Sequence, residues 1–139
     1  MSFLLDTNVI SEHRKRDRAD SNVAAWFATV RGNDLYLSVL AVGELRKGLE
    51  RLRTRDVAQA YALAEWIEGL HSMFANRVIG IDLATAEEWG RMNAVRSLPA
   101  VDSLMAASAK VHGMTFVTRD DIAVAEFGVR LLNPFRPAA

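Results

Sequence analysis

Short apolar runs alternate along this chain with longer stretches in which apolar residues recur every three or four positions. The runs FLL (3–5), LYLSV (35–39), VIGI (78–81), TFVT (115–118) and VRLL (129–132) predict five strands. They are short and mostly unalternating, the pattern of strands covered on both faces. Helices are expected over 9–15, 21–30, 40–52, 56–74, 85–96 and 100–112. In the third, Val42, Leu45, Leu49 and Leu52 form an apolar stripe that faces a core. Pro99 suits the first turn of the last helix and Gly113 its C-terminal cap. Strands separated by helices imply an α/β fold with a parallel sheet and right-handed crossovers. No repeat, low-complexity tract or linker interrupts the pattern, and only the terminal RPAA is expected to fray.

Composition narrows this picture. The chain has 139 residues, about half of them apolar, enough for one domain (1–139) with a real core and too few for two. Seventeen basic and seventeen acidic residues cancel, so a polyanionic partner would have to be met by a local patch. The absence of cysteine excludes disulfides, thiolate nucleophiles and thiolate metal sites, leaving oxygen or imidazole as metal ligands. MSFLL has no basic leader, Asp6 interrupts it at once, and no stretch nears the roughly 20 apolar residues of a membrane span. A soluble, cytoplasmic protein with no membrane partner is expected.

The chemistry lies in carboxylates at strand ends. In open parallel sheets ligands gather beyond the carboxyl ends of the strands, and Asp6 directly follows the first. Ordinary helix capping by Asp6 is the alternative. Glu44 sits early in the third helix, off its apolar stripe, with a solvated glutamate as the alternative. Asp102 occupies a helical first turn, where the dipole favours its ionised form. Asp120 and Asp121 follow the fourth strand as Asp6 follows the first, though a turn or cap would also place them there. Several carboxylates converging at one sheet edge raise one another's pKa and call for a cation. Oxygen ligands without thiolates suit Mg2+ or Mn2+, and the chemistry that follows is phosphodiester hydrolysis.

The segments FLLDTNVISE, LSVLAVGELRKGLERL, PAVDSLMAASAKVHGMTFVTRD and GVRLLNPF resemble, in order and spacing, the motifs of PIN-domain ribonucleases, most closely VapC and FitB-type toxins of bacterial toxin–antitoxin pairs. The resemblance spans nearly the whole chain. It implies a three-layer fold with a five-stranded parallel sheet ordered 3-2-1-4-5 and helices on both faces. It also implies a Mg2+-dependent endoribonuclease leaving 5′-phosphate and 3′-hydroxyl ends, a homodimer, and silencing by a VapB-like antitoxin. By position, Asp6, Glu44 and Asp102 match the first three acidic residues. Asp120 takes the fourth place, with Asp121 as rival, because TRDDIAV departs from the TRN and DF of close relatives. Asn8 and Thr118 match polar positions lining the site: Asn8 would orient Asp6 or its loop, and Thr118 would hold a water or phosphate.

Other residues carry weaker signals. Asp82 follows a strand but reads as a helix N-cap. In HRKRDR (13–18), Arg14, Lys15 and Arg16 are candidates for RNA phosphate contact, as is Arg119, against a solvated loop. Trp26, Phe27 and Trp66 read as core, or as contacts for a partner. His13, His71 and His112 lack ligand spacing. A haloacid-dehalogenase phosphatase would need Asp where Asn8 stands, and a receiver domain would need a Lys after the fifth strand. The remaining rival is a PIN-like RNA- or protein-binding module with a weakened site.

Overall fold

The computed structural model describes residues 1–138. All five expected strands form: β1 (Phe3–Leu5), β2 (Leu35–Ser38), β3 (Val78–Ile79), β4 (Thr115–Val117) and β5 (Leu131–Leu132). They pair in parallel in the order β3-β2-β1-β4-β5. Six helices connect them: α1 (Thr7–Arg14), α2 (Ser21–Thr29), α3 (Val39–Arg53), α4 (Val57–Met73), α5 (Leu83–Val95) and α6 (Ala100–Val111).

Two cores explain why the strands do not alternate in hydrophobicity. Phe3, Leu5, Leu35, Leu37 and Val117 face one side, packing with Val9, Ile10, Leu45, Leu49, Ile67 and Leu70 of α1, α3 and α4. Leu4 and Phe116 face the other, where Met92, Met105, Ala106 and Ala109 of α5 and α6 meet them. A strand buried on both faces has no position for a polar residue until it ends. β1, β2, β4 and β5 each end at or just before a polar residue: Asp6, Ser38, Thr118 and Asn133.

The local boundaries follow capping chemistry. Asp6, Asp20, Ser38, Asp56 and Asp82 each accept a backbone N–H in the first turn of α1 to α5 respectively. The stripe of α3 is Ala41, Leu45 and Leu49, while Val42 and Leu52 lie at its half-buried edge. The small, fully buried Ala41 belongs to the second core. Helix α6 closes as anticipated at Gly113, whose φ of 67° lets Met114 N–H reach Ala109 O at 2.9 Å and its own N–H reach Lys110 O at 3.3 Å.

Two departures from expectation bear on the site. A 3-10 segment over Asp121–Phe127 follows β4, where no element was foreseen. The terminal RPAA does not simply fray: Arg136 is tied back to Asp121, while Ala139 lies outside the described residues.

Candidate active site

The carboxyl ends of β1 and β4 lie side by side in the centre of the sheet, and Asp6 N–H bonds to Val117 O across them at 2.9 Å. Asp6 is therefore fixed where two parallel strands stop, and only 3% of its surface is exposed. It is at once a cap and a member of a carboxylate cluster. Its Oδ1 accepts Thr7 N–H at 2.7 Å, and its Oδ2 accepts the hydroxyl of Thr118 at 2.6 Å.

Two threonines tie the cluster together. Thr7 donates its N–H to the capping Asp6 and its hydroxyl to Glu44 Oε1, joining α1 to α3. Thr118, 1% exposed, donates to Asp6 and accepts the N–H of Asp120 at 3.1 Å. Its hydroxyl thus links the ends of β1 and β4, donating once and accepting once. Thr7 was not singled out from the sequence. Its place directly after the strand-end Asp6, on the first turn of a helix, was the available signal.

The acids act on one another's charge. Burial pushes the Asp6 carboxyl up to about 6, aided by the charges of Asp102 and Glu44 and opposed by the hydrogen bonds from Thr118 and Thr7. Asp102, in the first turn of α6, is also raised: by burial first, then by Glu44 and Asp120. The helix dipole was expected to favour its ionised form, and burial among acids outweighs that dipole. Asp6, Glu44, Asp102 and Asp120 thus form one electrostatic unit. Asp121 does not join it, since its carboxylate receives Arg136 Nη1 at 2.9 Å and Nη2 at 3.3 Å.

The remaining candidates take diverse positions. Asn8 is exposed beside Asp6. Asp82 caps α5 through Thr85 N–H at 2.9 Å, as expected. Lys15 pairs with Glu12 at 2.9 Å, Arg16 is exposed with φ 53°, and the guanidinium of Arg119 lies 4.2 Å from the ring centroid of Phe135. Trp26, Phe27 and Trp66 pack half-buried against the first core, and His13 stacks on Phe27 at 3.9 Å.

Among the described residues no three carboxylate or imidazole groups converge as a ready-made metal cage. Mg2+ does not require one, because it keeps several waters and commonly binds through one or two carboxylates plus substrate phosphate. An all-oxygen donor set whose acids are raised by burial and by one another's charge fits a hard divalent cation.

Residues 3–126 match the family model described as PIN domain. The chain belongs to the PIN domain family. Among curated PIN-type relatives, it is 33% identical to the toxin FitB of Neisseria gonorrhoeae, with 96% of this chain and 98% of that protein covered. It is likewise 33% identical to the VapC ribonuclease Y4jK of Sinorhizobium fredii, covering 98% and 99%. Among solved PIN structures, FitAcB from Neisseria gonorrhoeae superposes with a TM-score of 0.87 at 32% identity, over 96% of this chain and 99% of that one.

Proposed function

We propose that this PIN domain is a Mg2+-dependent endoribonuclease toxin, with Mn2+ as a workable substitute, that acts as a homodimer and is neutralised by a VapB-like antitoxin. The observation that carries the reading is Asp6: a nearly sealed carboxylate at the sheet's carboxyl edge, destabilised by Asp102 and Glu44. A fold stabilised for its own sake would not concentrate like charges there. Relatives near one-third identity include proteins named as a toxin and as a ribonuclease, and solved neighbours include FitAB bound to a DNA fragment. Among the described residues no helix is long and apolar enough to cross a membrane.

Asp6 and Asp102 would hold the ion, with Glu44 and Asp120 completing or hydrogen-bonding its surroundings. When bound, Mg2+ supplies a water of lowered pKa and offsets charge on the phosphate being cleaved. Thr118 keeps Asp6 turned toward the cluster and fixes the backbone that bears Asp120. Thr7 does the same for Glu44. The carboxylates of Asp6 and Glu44 and the backbone of Asp120 are thereby held in place before substrate arrives, which lowers the reorganisation needed during reaction.

The experiment is RNA cleavage by purified protein with and without Mg2+, paired with growth on induction and with co-expression of the neighbouring small gene product. Cleavage that vanishes on chelation and in Asp102→Asn, together with growth arrest relieved by the partner, is expected. Cleavage by Asp102→Asn at the wild-type rate would refute the site. Absence of both toxicity and cleavage would favour a PIN-like binding module.

A further inference from the structure

Of the four clustered acids, Asp120 is the least secured by its own side chain. Asp6 and Glu44 each receive a threonine hydroxyl, and Asp102 rides on the first turn of α6. Asp120 stands exposed between β4 and the 3-10 segment, and its carboxylate has no hydrogen bond among the described residues. Its backbone N–H reaches Thr118 Oγ1 at 3.1 Å. A carboxylate so placed points where its backbone points, so its direction depends on what holds residues 119 and 121.

Both are held by the C-terminal tail. Asn133, directly after β5, donates its side-chain N–H to Arg119 O at 3.1 Å. The same side chain accepts Phe135 N–H at 3.0 Å, which turns the tail back and sets the Phe135 ring 4.2 Å from the Arg119 guanidinium. Arg136 then forks onto both oxygens of Asp121, at 2.9 and 3.3 Å. The tail is itself moored: Asn22 of α2 donates to Phe135 O at 2.9 Å, and Thr118 N–H reaches Leu132 O at 3.0 Å where β4 and β5 end.

We propose that residues 133–136 form a strap that aims Asp120 at the acidic cluster, with Asn133 and Arg136 as positioning residues for cleavage. The proposal rests on the ribonuclease reading above and deepens it. A hydrogen bond to the residue before Asp120 and an ion pair to the residue after it leave the backbone between them few ways to turn, since each residue has only two soft dihedrals. The ties also fall on either side of the acid and skip the acid itself. An arginine on Asp120 would neutralise it, whereas one on Asp121 restrains it and leaves its charge to the cluster. Chain-end packing alone would give no reason for the polar groups of the tail to bracket this one residue.

The test uses the full chain, and its first arm needs neither RNA nor Mg2+. Amide hydrogen exchange followed by NMR in metal-free buffer should be at least about tenfold faster at Asp120 in Arg136→Ala and in Asn133→Asp, against no more than about threefold at Ile67 in the core, which reports global stability. Asn133→Asp keeps the acceptor for Phe135 N–H and lacks the donor to Arg119 O, so it isolates that tie. In the second arm both variants should lose about tenfold in kcat with KM for RNA within about twofold, because a misdirected acid impairs reaction more than binding. Arg77→Ala removes ties to Leu35 O and Met73 O at the other edge of the sheet, and should lower the urea midpoint without changing kcat. Exchanging the partners, Asp121→Arg with Arg136→Asp, should restore most of the kcat lost in Arg136→Asp alone. Unaltered exchange at Asp120, wild-type kcat in both tail variants, a kcat loss that Arg77→Ala matches, or an exchanged pair that recovers nothing overturns the proposal and makes the tail ordinary packing of a chain end. Those results leave the ribonuclease reading standing, since the wild type still cuts RNA. A wild type that cuts no RNA sinks that reading, and with it any role of the tail in cleavage.

Discussion

Arg136 grips both carboxylate oxygens of Asp121, at 2.9 and 3.3 Å, and so anchors the segment after β4 by a residue near the chain's end. Asp120, next to it, is exposed and contributes to raising Asp102. Two adjacent acids thus do different work: one fastens the backbone and the other adds charge to the cluster.

Asp120→Asn is therefore expected to lose more RNA cleavage than Asp121→Asn. The Asp121 variant should instead lose up to about 1 kcal/mol of stability, the range of a partly exposed ion pair. Cleavage rates at saturating Mg2+ and urea midpoints separate the two. A larger activity loss at Asp121 would transfer the ligand role to it.

Asp6→Asn should abolish cleavage yet raise stability at neutral pH in metal-free buffer. The folded carboxyl titrates near 6 against an ordinary value of 3.8. Between those values the native state binds more protons than the unfolded chain, so wild-type stability falls as pH rises from about 4 to above 6. Asp102 contributes in the same direction. The gap between those two values corresponds to about 3 kcal/mol at most, and loss of one accepted hydrogen bond reduces the net gain to about 1–2 kcal/mol. Denaturation at pH 4.5 and 7.5 checks the sign: the variant's advantage must shrink at the lower pH.

Mg2+ should reverse this penalty in the wild type. Binding only to the folded state, at 100 times its dissociation constant, stabilises by about 2.7 kcal/mol. The rise in Tm with added Mg2+ should be seen in wild type and be largely absent from Asp6→Asn. Equal rises in both proteins would place the ion elsewhere.

Thr118→Val removes the donor to Asp6 and the acceptor of Asp120 N–H in a buried setting. A cost of about 1–3 kcal/mol is expected, with cleavage reduced through misplaced acids. Thr118→Ser should restore most of the activity, because it keeps the hydroxyl. Wild-type cleavage by the valine variant would show that the bridge is dispensable.

The strands were legible because two-sided burial writes unbroken apolar runs, and their true ends fall one or two residues inside β2, β3, β4 and β5 because helix caps and turns take over there. Asp6 and Asp120 stand after strands, Asp102 in the first turn of α6 and Glu44 early in α3, places that the order of elements alone marks for acids near the sheet's carboxyl edge. What joins them was not legible. Thr7 meets Glu44 across 37 residues and Thr118 meets Asp6 across 112, so which hydroxyl finds which carboxylate depends on the folded sheet. The grip of Arg136 on Asp121 was hidden for the same reason, in a tail whose composition suggested only fraying.

The outermost strands, β3 and β5, are each two residues long. An edge that short presents too few free backbone groups for a neighbouring chain to continue the sheet. These edges disfavour joining of copies strand to strand and leave side-chain contacts on the outer helices, where Val57, Tyr61 and Leu83 stand exposed. Such contacts are set by the shape and chemistry of individual residues, so the order of assembly can be altered by substitution without disturbing the sheet that holds the acids.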